Sequence, residues 1–220
     1  MVVTFSVKAG VIDEKYKKAQ QYFYAKKFSI ASQLLKTILS QKPDHGEALS
    51  LMGDVFLMNQ KYNDAIVYYN QAKEVKSNVY IEEYRLGQVY TELQKPQKAI
   101  YHFVAAYQKN NKLHISLYQC GYVSLVQLRD KEKTINYWQE FILKAPDDPQ
   151  RPKIERVIAL LRDVNFKLPD KNSDISIEEV LLLGGQTIAS QKLNPHDKQA
   201  GHEKDKTNNN NQGLLDDDEL

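Results

Sequence analysis

Gly53, Gly87 and Gly121 stand 34 residues apart. A chain that repeats a landmark at such a period is built from copies of one supersecondary unit, each stacked on the last. The glycines do not repeat alone. Phe56 and Tyr90 follow theirs by three residues, Ala65 and Ala99 by twelve, and Tyr69 and Phe103, then Ala72 and Ala106, come after. This is the pattern of two antiparallel helices. A glycine on the first helix lets the second approach closely, and the alanines do the same from the other side. Phe56, Tyr69, Tyr90 and Phe103 fill the space between neighbouring hairpins. Asn59-Gln60-Lys61 and Gln94-Lys95-Pro96 read as the polar turns. Pro96 suits the first turn of a helix, where its missing N–H leaves no bond unmade.

With the register fixed, an earlier unit appears at 12–45, with Ala19 in the glycine's place and Tyr22, Ala31, Leu35, Ile38 and Pro43 following. The regular units are 46–79 and 80–113. A fourth, 114–148, keeps Gly121 but needs one extra residue around Asp130 to Lys133 to bring Thr134, Trp138, Phe141 and Pro146 into step.

These units resemble tetratricopeptide repeats, whose motif runs W-x2-L-G-x2-Y, then A-x3-F, then P. Leu49-x2-Met52-Gly53-x2-Phe56 with Ala65-x3-Tyr69, and Leu86-Gly87-x2-Tyr90 with Ala99-x3-Phe103, carry the likeness, which covers residues 12–148. The motif's tryptophan position holds Lys15, Leu49, Glu83 and Leu117 instead. The resemblance implies an all-α, right-handed solenoid of four helical hairpins.

A stack of hairpins leaves its last apolar face open, so a one-sided closing helix is expected. The segment 149–170 supplies it. Pro152 opens a helix in which Ile154, Val157, Ile158, Leu161 and Val164 recur at three-and-four spacing, with Lys153, Glu155, Arg156 and Arg162 facing away and Pro169 ending it. Residues 1–11 form an N-terminal extension too short to be a domain. Beyond 170 the aromatic residues vanish, and Asn and Gln take over, as at Asn208 to Asn211. Residues 171–220 hold five Lys against ten Asp and Glu, net −5, whereas residues 1–170 carry net +7. Such a composition predicts a disordered acidic tail. One island departs from it. Ser176-Ile177-Glu178-Glu179 reads as a capping box ahead of Val180, Leu181, Leu182 and Leu183, with Gly184-Gly185 as a stop. This short helix, 176–183, either docks on its own array or meets a partner through Ile177, Val180, Leu181, Leu182 and Leu183.

Catalysis needs a nucleophile with a base, a carboxylate pair in a cleft or a metal set, and the sequence offers none. We therefore expect no enzyme, no cofactor and no metal. The five histidines lack ligand spacing. Cys120, the single cysteine, falls where the motif buries Leu and reads as a core thiol. Trp138 reads as packing. The basic residues are too scattered for a nucleic-acid face. No stretch approaches the roughly 18 apolar residues of a membrane span, and the first residues do not read as a signal peptide. A cytoplasmic protein is expected.

The resemblance also implies where a ligand would lie, on the concave face lined by the first helix of each hairpin. The positions that point there are Tyr16, Gln20, Phe23 and Tyr24 in the first unit, with Asp13 beside them, and Ser50, Asp54, Leu57 and Met58 in the second, with Glu47. The third contributes Tyr84, Arg85, Gln88 and Glu92, with Ile81 and Thr91. The fourth has Tyr118, Tyr122 and Leu125, with Ile115 and Val126. Chaperone-binding members of the family grip a peptide's terminal carboxylate with Lys, Asn and Arg at set places. Here Arg85 matches one, but Tyr16, Gln20, Leu51 and Ile81 occupy the others. One cation is not a clamp, so an acidic C-terminal peptide is not expected. The function expected is a scaffold, adaptor or assembly factor that holds a partner peptide or helix in this groove. Two alternatives stand beside it: a structural subunit bound through its convex face, end helix or tail, and an RNA-binding array.

Overall fold

The structure is a computed structural model that describes residues 3–169, with side chains from Gly10 onward. Among these residues it is all helix: α1 (Val3–Tyr24), α2 (Phe28–Gln41), α3 (Gly46–Met58), α4 (Tyr62–Val75), α5 (Tyr80–Glu92), α6 (Pro96–Lys109), α7 (Ile115–Val126), α8 (Lys131–Lys144) and α9 (Arg151–Arg162). Each odd helix packs on the even one after it, and each pair packs on the next. The 34-residue period is therefore a hairpin period. The predicted tail helix at 176–183 lies outside the described residues.

The glycines do what their spacing predicts. A Cβ on Gly53 would meet the Tyr69 ring at 2.5 Å, one on Gly87 would meet Phe103 at 2.6 Å, and one on Gly121 would meet Trp138 at 2.3 Å. The large residue of each second helix thus lies flat on the bare backbone of the first. Tyr69 and Phe103 are fully buried, and Trp138 nearly so. In the first hairpin Ala19 replaces the glycine and Leu35 the aromatic ring, both wholly buried in one cluster. A methyl group has been added on one side and bulk removed on the other. Phe56 and Tyr90 bridge hairpins. Phe56 packs against the clusters on either side of it, stacking on Tyr68 at 5.2 Å. Tyr90 does the same one hairpin later, stacked on His102 at 5.1 Å.

The turns repeat as strictly as the core. Lys26, Gln60 and Gln94 adopt φ of 58°, 58° and 53°. The following N–H groups, of Lys27, Lys61 and Lys95, bond back five residues to Tyr22, Phe56 and Tyr90 at 2.8, 2.9 and 2.9 Å. This is the left-handed helix stop usually given to glycine, here assigned to long polar residues. The fourth turn has the same left-handed residue, Arg129 at φ 59°, but Asp130 N–H reaches back six residues, to Ser124. The extra residue therefore sits before Arg129, at Gln127-Leu128, and not within 130–133 as the sequence suggested. Motif landmarks fix only the total length between helices, whereas the shift of the left-handed residue fixes the place.

Two end features also differ from expectation. Residues 3–11 are not a separate extension, because α1 runs through them without a break. The closing helix buries Ile154, Val157, Ile158 and Leu161 as expected, but it ends at Arg162, and Val164 is 91% exposed. Phe166 takes its place against the core. Lys131 holds it there, with Nζ 5.0 Å over the ring and bonded to the Phe166 carbonyl oxygen. Three-residue periodicity kept counting past a helix that Asp163, in extended conformation, had already closed.

Candidate functional site

Helix α1 touches α3, and α3 touches α5, whereas the second helices of neighbouring hairpins approach one another less. The first helices of the first three hairpins thus lie side by side, and the residues three before and one after each glycine position share one helix face. They are Tyr16, Ser50, Tyr84 and Tyr118, beside Gln20, Asp54, Gln88 and Tyr122.

All four of these tyrosines are half-buried, and three, Tyr16, Tyr84 and Tyr118, are each backed by another ring. Tyr84 leans on Phe103 at 5.3 Å, and Tyr118 stacks on Trp138 at 5.9 Å. Trp138 Nε1 donates to the Tyr118 carbonyl at 3.0 Å, which locks the indole beneath it. Tyr16 lies against His45 at 5.4 Å, and Gln20 donates to its hydroxyl at 3.4 Å. Burial raises all three hydroxyl pKa values. That of Tyr16 reaches about 12, because Glu47 and Asp54 add their charge to the effect of burial. Each ring is thus half-buried and rests on another ring.

Between them the polar residues are wired to each other. Tyr69 OH donates to Asp54 Oδ1 at 2.7 Å, and Arg85 Nε pairs with the same oxygen at 3.0 Å. Arg85 also donates to Gln88 Oε1 at 2.9 Å. Burial pushes the Asp54 carboxyl up, and the Arg85 charge and the Tyr69 bond only partly reverse it. The one cation that matched a carboxylate clamp is thus already matched with a carboxylate of its own chain. Deeper, Ser50 donates to the fully buried Glu82, which Lys76 Nζ pairs at 2.7 Å. Gly46 permits this, since a Cβ there would meet the Lys76 stem at 2.5 Å. Glu83, at the motif's tryptophan position, is paired by Lys73 and by His102, each at 2.7 Å. Burial alone would raise its carboxyl, but these two bonds outweigh burial and hold it below the usual range. Sequence reasoning missed this ionic seam. Its only signal was that Glu82 and Glu83 fall where the neighbouring units have apolar or small residues.

The remaining expected groove residues divide. Tyr24 and Met58 are 77% and 54% exposed at the helix ends, and Glu92 is exposed. Phe23 and Leu57 are half-buried beneath them, and Tyr122 is half-buried. Leu125 is 1% exposed and packs inward, so it lines no groove. Leu125 keeps its place on α7, four residues after Gly121, but is buried there, whereas the equivalent Leu57 of the second hairpin is only half-buried. Cys120 is buried and its thiol is pushed up to about 12, chiefly by burial. Among the described residues no His, Cys, Asp and Glu group could hold a metal ion, and no helix is long and apolar enough to cross a membrane. A separate cavity of about 430 Å³ opens between the first two hairpins, lined by Leu39, Pro43, Leu49, Tyr68 and Val75.

No family sequence model matches this chain, and no curated protein sequence does. Solved structures match it as helical repeat solenoids. The structure of MamA aligns with 83% of this chain and 96% of its own at 16% identity, TM-score 0.60. YrrB, described as a TPR protein with an unusual peptide-binding site, aligns with 75% of this chain and 86% of its own at 15% identity, TM-score 0.57. A tetratricopeptide repeat protein from Parabacteroides merdae aligns with 69% and 60% at 16% identity, TM-score 0.59. The fold is therefore the tetratricopeptide-repeat fold.

Proposed function

We propose that this protein is a non-catalytic adaptor whose first-helix face holds a segment of a partner protein. The observation that carries the reading is the row of half-buried tyrosines, Tyr16, Tyr84 and Tyr118, each resting on a ring behind it. Rigid rings give contact area at little entropy cost, which is what peptide-holding surfaces use. Pairing of Arg85 with Asp54 argues against recognition of a chain-terminal carboxylate. The peptide-binding site in YrrB's description supports the same kind of role for this fold.

The test compares proteins retained from a lysate by the full chain and by three variants. Tyr84→Ala with Tyr118→Ala removes the groove rings, and Tyr24→Ser with Met58→Ser strips the exposed groove edge without touching the core. The third variant lacks residues 171–220. Partners lost from both groove variants and kept by the truncated chain support the groove. Partners kept by the groove variants and lost on truncation refute it. A second reading, docking of a partner on the outer face, is favoured by the cavity between the first two hairpins. Leu49→Trp, placed to fill that cavity, would then abolish capture.

A further inference from the structure

We infer that the segment held in the groove is cationic: a lysine- or arginine-bearing peptide whose charges lie along α3 and by Glu92 at the end of α5, and whose apolar residues lie toward Ile81, Ile115 and Tyr118. This rests on the groove reading and adds the chemistry of the occupant.

Charge in this array is sorted by helix. Helices α3, α5 and α7 carry five carboxylates, Glu47, Asp54, Glu82, Glu83 and Glu92, against one cation, Arg85. Residues 1–170 as a whole are net +7, so the cations lie elsewhere. Helix α9 alone has Arg151, Lys153, Arg156 and Arg162 against Glu155. Within the inner helices, Arg85 is matched by Asp54, and Glu82 and Glu83 are matched from α4 and α6. Glu47 and Glu92 remain exposed. On α1, Lys15, Lys17 and Lys18 outnumber Asp13 and Glu14, so the acidic field belongs to α3 and α5. It reaches across to α1 nonetheless, because Glu47 and Asp54 both act on the Tyr16 hydroxyl.

Carboxylates beside open tyrosine faces form a surface for ammonium and guanidinium groups, which gain from the ring as well as from the charge. The chain already makes one such contact, Lys98 Nζ at 5.4 Å from the Tyr90 centroid. An acidic peptide or a nucleic-acid phosphate would meet like charge. Toward the fourth hairpin the position of Asp13 and Glu47 is held by Ile81 and Ile115, so the occupant changes from charged to apolar along its length.

Four first helices about 10 Å apart span about 30 Å, which about ten extended residues cover. Three labelled peptides of about that length serve as probes: one of Lys, Arg, Leu and Ala, one with Ser in place of every cation, and one with Glu there. Fluorescence anisotropy should show the cationic peptide bound about tenfold more tightly than the Ser peptide, with the gap closing between about 50 mM and about 500 mM salt. Glu47→Gln with Glu92→Gln should weaken the cationic peptide by about fivefold. Asp64→Asn with Glu140→Gln removes equal charge from exposed positions of the second helices and should change nothing. Equal weakening by both pairs overturns the inference, as does failure of the cationic peptide to bind. Equal binding of the Ser peptide also overturns it. In that event, loss of Ser-peptide binding in the Tyr24→Ser, Met58→Ser variant leaves the groove reading standing. A peptide insensitive to every groove variant removes both. Tighter binding of a short RNA than of the cationic peptide overturns the inference too.

Discussion

The contact of Gly87 with Phe103 gives a quantitative test of how the hairpins close. Gly87→Ala puts a methyl carbon 2.6 Å from two atoms of a ring that is 1% exposed, inside any real carbon contact. The substitution gains about 1 kcal/mol of helix propensity and loses about 2–3 kcal/mol to overpacking, so the net loss is about 1–2 kcal/mol. Phe103→Leu alone leaves a void and gives up the contact with Tyr84, at about 1–2 kcal/mol. If the two changes were independent, the double variant would lose about 3 kcal/mol. The first hairpin shows the alternative, since Ala19 with Leu35 occupies the same two places and both are fully buried. The double variant should therefore lose no more than about 1 kcal/mol, a coupling of about 2 kcal/mol.

Urea unfolding followed by far-UV circular dichroism measures all four corners of this cycle. The slope with urea should be the same in each, because the array must unfold as one unit for the energies to be compared. A coupling under about 0.5 kcal/mol, the limit of additivity, would refute the claim that the glycine is there for the ring.

Gln94→Gly, at φ 53°, should stabilise the array by about 0.5–1 kcal/mol because glycine enters the left-handed region freely, whereas Gln97→Gly, inside α6, should destabilise it by a similar amount; urea midpoints decide. Glu82→Ala should cost about 3–5 kcal/mol by leaving Lys76 without its buried partner, and restoring stability with Lys76→Met in the same chain would confirm the pairing as the cause. Since the Glu83 carboxyl is held low in the folded chain, its contribution is present above the unfolded value of about 4.3 and is lost as pH falls through the lower folded value. The acid limb of stability against pH should be shallower in Glu83→Gln, and parallel limbs would count against it. With its thiol pushed up to about 12, Cys120 should react with a thiol reagent at pH 8 only as fast as the array opens, so that urea below the midpoint accelerates labelling.

What could be read in the sequence was whatever repeats. Gly53, Gly87 and Gly121 fix the hairpin because each must admit a ring sixteen or seventeen residues later, and that requirement leaves a mark at every copy. The half-buried tyrosines Tyr16, Tyr84 and Tyr118 share one position of one repeating helix, which is legible for the same reason. Features that occur once leave no period to read. Val164 was misplaced because a period was extended past Asp163, where the helix had ended, and Leu125 because one copy buries a position that the second hairpin leaves half-buried at Leu57. The ionic seam was invisible for a related reason. Glu82 and Glu83 looked like departures from the motif, and only their neighbours in space, Ser50, Lys76, Lys73 and His102, make them part of a design.

That seam also bears on the groove. An array held only by apolar contacts gives each junction much the same slack, whereas buried pairs hold one geometry, because moving either member leaves a charge unmatched. Lys76 with Glu82, Arg85 with Asp54, and Lys73 and His102 with Glu83 all tie the third hairpin together or to the second. The acidic stretch of the proposed groove therefore lies on the junction that carries these ion pairs. The aromatic stretch on α7 is stitched to α5 by Gln127 Nε2 donating to the Thr91 carbonyl at 2.9 Å. A surface meant to read charge needs its carboxylates at fixed separations, since Coulomb energy depends on distance. One meant to accept apolar side chains tolerates adjustment. On the proposed reading, the ion pairs thus lie where the occupant's charges would be read.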